Sequence, residues 1–215
     1  MFVLSPANCN GARARQVLSA RACFPLAEQL RAPGGAPLGE LFAFISGLYF
    51  RGKLTYARRF AAAPDRGNPI VGAGVHIITA TAGLRRADTR VTAAAVRSFA
   101  KGDVRADNAS YRRPLEASGR VLLGEIGPDC DVVLLGSIAS PKYIDVLLEI
   151  FGPRLRFPLD FVGRGDMSRG GLLLRKADEG CELDYAPVVG AALHGARPAK
   201  LPPLKRRVRA PQNPA

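Results

Sequence analysis

Tryptophan is absent from the 215 residues, histidine occurs twice and cysteine four times. Cys9, Cys23, Cys130 and Cys181 lie far apart and form no C-x-x-C pair. Both a zinc cage and a secreted disulfide framework are therefore disfavoured, and no metal is expected. Long hydrophobic runs are missing as well. The most apolar stretch, Leu38 to Phe50, is too short to span a bilayer and contains Glu40. The opening residues, Met1 to Pro6, lack the basic region and long apolar segment of a signal peptide. The expectation is a cytoplasmic protein with no membrane partner. Acid is the scarcest charge: 18 Asp and Glu stand against 31 Lys and Arg, a net charge of +13. Only six of those bases are lysines. The six bases from Gly195 onward face no acid, yet removing them still leaves a body of +7. Such a surface suits an anionic partner: a nucleotide, a nucleic acid or a phosphorylated metabolite.

What is present reads as one α/β domain over residues 1–195, with a basic, proline-rich tail over 196–215 expected to be disordered. A hydrophobic content of 47% can fill a core at this length. Phe2 to Leu4 reads as a first short strand, and Val75 to Ala80 and Asp131 to Gly136 as two stronger ones. Leu155 to Phe157 and Leu172 to Arg175 are shorter strand candidates, and Glu182 to Tyr185 an edge strand or hairpin partner. Leu38 to Ala62 has helical spacing weakened at Gly47 and Gly52, so a kink or two helices are expected. Asn108 or Ser110 is positioned to start a helix running to about Leu123, and Ser140 with Pro141 another through Phe151. Alternating strands and helices imply a mostly parallel sheet with helices on both faces, a Rossmann-like three-layer arrangement. Right-handed crossovers gather the loops after the strands at one sheet edge, where ligands of such folds bind.

Four loops are expected at that edge: Ser5 to Gly11, Thr79 to Arg86, Gly136 to Tyr143 and Gly163 to Gly171. They supply hydroxyl and amide groups (Ser5, Asn8, Asn10, Thr81, Ser137, Ser140, Tyr143, Ser168) and guanidinium groups (Arg85, Arg86, Arg164, Arg169). Those groups suit a phosphate or a carboxylate. Neither G-x-x-x-x-G-K-[ST] nor a post-strand G-x-G-x-x-G is present, so no motif specifies a cofactor. Asp166, between Arg164 and Arg169, is the candidate catalytic carboxylate; its readings are a general base, an acceptor for a ribose hydroxyl, or an ion-paired turn residue. Cys9 is the thiol placed where reactivity would matter, and His76, alternating in an apolar strand, reads as structural. The run Tyr49-Phe50-Arg51-Gly52-Lys53 suggests base stacking beside basic charge, with Phe50 in the core.

Phe2-Val3-Leu4-Ser5 with its Asn/Cys loop, then Leu48 to Arg58, Ile77 to Leu84 and Val132 to Leu147, form a pattern. It resembles a set of bacterial and phage α/β proteins, some related to proteins associated with modified nucleobases and to tRNA-guanine transglycosylases. The resemblance covers Phe2 to Phe151; Ser5-Pro6 departs from the Ser-Cys of many members, and Gly163 to Gly171 has no counterpart. It implies a base-handling or glycosidic-bond enzyme. Together the readings point to a protein that binds a nucleotide, nucleobase or nucleic acid. The alternatives are a non-catalytic nucleic-acid-binding or assembly protein, and an enzyme acting on a small phosphorylated or carboxylated metabolite.

Overall fold

The computed structural model describes residues 1–139, 141–192 and 195–201. Its main sheet has six strands in the order β4-β3-β1-β6-β7-β8. The four inner strands, β1 (Phe2–Leu4), β3 (Val75–Thr79), β6 (Val132–Leu135) and β7 (Leu155–Pro158), run parallel. Two edge strands, β4 (Gly83–Arg86) and β8 (Tyr185–Pro187), are antiparallel to their neighbours. β2 (Ala36–Pro37) and β5 (Arg90–Val91) form a small separate ladder.

The period-2 alternation of the inner strands explains the layers. Phe2, Leu4, Ile77 and Leu135 face one apolar cluster, while Val3, Ile78, Leu134 and Val132 face another. The first is covered by α1 (Ala12–Leu18), α2 (Pro25–Arg31), α3 (Leu38–Ser46), α4 (Leu48–Phe60), α5 (Ala93–Lys101) and α8 (Asp166–Glu179). The second is covered by α6 (Ala109–Glu125) and α7 (Pro141–Phe151). Helices thus lie on both faces of a mostly parallel sheet. Among the described residues no helix is long and apolar enough to cross a membrane.

Local signals set several boundaries. Gly47, at φ 68°, separates α3 from α4. The Asn108 side chain accepts from the Ser110 amide and starts α6, which carries Pro114 in its second turn. Two expectations are corrected. Thr79 to Arg86 is not a loop but a hairpin: Thr79 Oγ1 donates to the Gly83 carbonyl (2.8 Å) and accepts from the Ala82 amide (3.0 Å), closing a tight turn into β4. Residues 166–179 are one helix, not a loop followed by a strand over Leu172 to Arg175. Its glycines, read as breakers, are what the packing requires. A Cβ on Gly52 would lie 2.6 Å from the Gly170 carbonyl, and one on Gly170 2.8 Å from Tyr49 Cα. α4 and α8 therefore meet backbone to backbone, and burial of Leu172 and Leu173 fixes α8 as a helix. Residues 195–201 pass the start of α8 with Leu201 packed on the core; the rest of the basic tail and Ser140 lie outside the described residues.

Candidate functional site

The chain leaves β1 for β3 on one side, while β6 leads to β7 on the other. Strand order therefore reverses between β1 and β6, where an open α/β sheet has a crevice beyond its carboxyl ends. A cavity of about 580 Å³ lies there. Ser5, Asn8, Ser137, Lys142, Tyr143 and Asp166 supply its polar wall, and Phe99 and Val104 an apolar one.

Ser5 follows β1 directly and is buried, its amide donating to the Leu135 carbonyl of β6 at 3.2 Å. Gly136 opposite leaves room for it: a Cβ there would lie 2.9 Å from both Ser5 Cβ and the Tyr143 hydroxyl, and 3.2 Å from Ser5 Oγ. Three polar groups can thus converge where the strands part. The Tyr143 hydroxyl accepts from the Ser137 amide at 3.0 Å. Burial raises the Tyr143 pKa, opposed by bonds from the Ser137 amide and the Ser5 hydroxyl.

Beneath Ser5 lies Lys53, only 1% exposed. Its Nζ donates to the Ser5 carbonyl and to Ser5 Oγ, both at 2.8 Å, and sits 4.6 Å and 4.5 Å from the ring centres of Tyr49 and Phe50. Burial lowers its pKa to about 7, partly offset by the negative charge of Asp166. The Tyr49 hydroxyl is buried, which pushes its pKa up, opposed by the Arg169 guanidinium.

Asp166 opens α8 and forms an ion pair with Arg169 at 3.6 Å, its own side chain remaining 69% exposed. Arg169 is held in place: its guanidinium donates twice to the Phe161 carbonyl (3.1 and 2.9 Å) and lies 5.3 Å from the Phe161 ring centre.

The structure brings together Ser5, Asn8, Asn10, Ser137, Tyr143 and Asp166 from the expected set. Asn8 and Asn10 brace their own loop: Asn8 Oδ1 accepts from the Asn10 amide (2.9 Å), and Asn10 Nδ2 donates to the Ala100 carbonyl (2.7 Å). Arg169 stands behind Asp166 as its partner. Arg164 and Ser168 face a neighbouring depression, linked at 3.4 Å, with Arg164 Nε unpartnered among the described residues. Thr81, Arg85 and Arg86 are elsewhere, lining a depression between the β3–β4 hairpin and α6. The hairpin carries them away from the crevice; Arg86 is bound to Asp88, and Thr81 pairs with Ser98 at 2.9 Å. Cys9 lines the crevice, but burial pushes its thiol up to about 11, which keeps it protonated.

Sequence reasoning missed Lys53 and Lys142 as site residues. For Lys53 a signal existed: Tyr49, Lys53, Tyr56 and Ala57 share one helical stripe, and all four are buried. Among the described residues no group of three or more His, Cys, Asp or Glu is arranged to hold a metal ion. Comparison with family models, curated proteins and solved structures finds no match for this chain.

Proposed function

We propose that this protein binds a nucleoside- or nucleobase-type ligand in the β1/β6 crevice and acts there on the base or its glycosidic bond. The observation that carries this reading is the position and lining of the crevice. It lies at the strand-order reversal, has about 580 Å³ of space, and faces an apolar wall with amide, hydroxyl, ammonium and carboxylate groups. Phe99 and Val104 offer a surface for the flat face of a base. Asn8 and Ser137 offer groups for its edge. Asp166, exposed at the rim, suits a sugar hydroxyl or a proton transfer at the glycosidic bond. One lysine at the rim, Lys142, favours a neutral or singly phosphorylated ligand over a polyphosphate.

A panel of free nucleobases, nucleosides and nucleoside monophosphates, screened by thermal shift and calorimetry, tests the reading. One class is expected to raise the melting temperature. Asp166→Asn is expected to abolish turnover and weaken binding without lowering the melting temperature of the free protein. No stabilisation by any panel member, with an unrelated small molecule co-purifying, would remove the nucleoside reading. The net charge of +13 supports the alternative of a nucleic-acid partner. That alternative requires affinity for an oligonucleotide to fall steeply with salt and with deletion from Gly195 onward.

A further inference from the structure

Lys53 has an unusual position for a lysine. It is buried against two aromatic rings, and its hydrogen bonds run to the carbonyl and hydroxyl of one serine. A buried ammonium is ordinarily matched by a carboxylate. Here the carboxylate that influences it, Asp166, acts through space and is itself paired with Arg169. Ser5 lines the crevice while Lys53 is enclosed behind it, so the pair lies directly at the cavity wall.

We infer that Ser5 is a nucleophile and Lys53 its base, and that the crevice performs acyl transfer on an ester or amide carried by the bound ligand. The inference rests on the crevice being a ligand site, as proposed above. A neutral amine at Nζ keeps one N–H on the Ser5 carbonyl and turns its lone pair to the Ser5 hydroxyl, whose proton then swings from the Tyr143 hydroxyl to Nζ. The Ser5 proton passes to Nζ as Oγ bonds to the acyl carbon and the carbonyl electron pair moves to oxygen. Collapse breaks the bond to the alcohol or amine, which leaves with the proton from Nζ. Water then repeats the sequence, releasing the carboxylic acid and restoring Ser5. The amine must be neutral near physiological pH, and burial acts in that direction. The groups that face Lys53 or its immediate surroundings are Tyr49 on its own helix, Ser5 after β1, Tyr143 on α7, and Asp166 with Arg169 on α8.

The test needs no substrate. The full chain is treated with phenylmethanesulfonyl fluoride, whose sulfur bonds to Ser5 Oγ as fluoride leaves, and the modified peptide is located by mass spectrometry. Labelling is expected on Ser5, with a rate that rises through a midpoint near pH 7 and then levels. Lys53→Met is expected to slow it by about 100-fold at pH 8 and to erase the midpoint. Lys53→Arg keeps a cation and its donors but cannot become neutral, so it should be equally slow; labelling at the wild-type rate in this variant would reduce Lys53 to a tether. If Lys53→Met does not fold, the wild-type pH profile and Lys53→Arg decide. An unlabelled Ser5 in a protein that still binds a panel nucleoside overturns the nucleophile and leaves the ligand reading standing. Labelling without any nucleoside binding does the reverse.

Discussion

Two bases are buried among the described residues, one beneath each face of the sheet, and what surrounds them separates a reactive arrangement from a structural one. Lys53 packs on the α4/α8 side and His76, in β3, on the α6 side. Burial depresses both: Lys53 to about 7 and His76 to about 4. The difference lies in the second partner. His76 Nε2 is 2.9 Å from the Ile70 carbonyl, which can only accept, so Nε2 carries the proton; Nδ1 has no hydrogen-bond partner among the described residues. Lys53 touches a hydroxyl, a group that donates as readily as it accepts, at the edge of a cavity. Desolvation thus leaves a core histidine anchored through one ring nitrogen in one place and a lysine–serine pair at the edge of a cavity in the other.

The comparison depends on α8 lying close enough to α4 to bring Asp166 and Arg169 over Lys53 and Tyr49. Gly170→Val attacks that approach, since its Cβ would meet Tyr49 Cα at 2.8 Å and the Leu48 carbonyl at 2.9 Å, both backbone atoms. Destabilisation of about 3 kcal/mol is expected in denaturant melts, with loss of ligand binding. A valine variant of native stability would mean that α4 and α8 are not in backbone contact.

This contact also marks what could be read in advance. β1, β3, β6 and β7 were legible because each is a short apolar run between turn residues. The α6 start was legible because its Asn108 cap is local. Residues 166–179 were not, since Gly170 and Gly171 look like breakers until the helix they face is known. The β3–β4 hairpin was missed for a related reason: Thr79 closes the turn through its side chain, without an Asn-Gly or Asp-Gly signature. The expected convergence of Ser5, Asn8, Ser137 and Tyr143 rested on their place after strands, and that of Asp166 on its flanking arginines; the structure puts all five on one cavity wall. Lys53 was not expected there, because in its run it reads as basic charge beside the aromatics, although its helical phase with Tyr49 and Ala57 points inward.

Titrating stability sharpens the contrast between the two bases. Lys53 has a folded pKa below its unfolded value of 10.5, so the unfolded chain binds more protons between about 7 and 10.5. Stability should therefore rise with pH across that window, by up to about 1.4 kcal/mol per pH unit. The clearest range is pH 7 to 9, because Cys9, raised from 9.0 to about 11, opposes the trend above it. For His76, lowered from 6.5 to about 4, the linked stability is lost as pH falls from 6.5 towards 4, on the order of 3 kcal/mol. Chemical denaturation across pH should show both slopes in the wild type. Lys53→Met should remove the upper one and leave the lower, and His76→Gln the converse. An upper slope that survives Lys53→Met would place its origin in another group.

The smallest effect is expected at the paired arginines of the β3–β4 hairpin. Arg85 and Arg86 sit on β4, two strands from β1, and Arg86 binds Asp88 and the Pro69 carbonyl. That ion pair is open to water, with side chains 32% and 51% exposed, so solvent screens most of its attraction. Arg86→Ala should change stability by less than about 1 kcal/mol. Arg85→Ala and Arg86→Ala should both leave nucleoside affinity unchanged, because neither side chain lines the crevice. A large loss of affinity in either variant would move the ligand from the β1/β6 crevice to the hairpin. Loss of oligonucleotide binding alone, with nucleoside binding intact, would instead make the hairpin arginines a separate contact for the phosphate backbone.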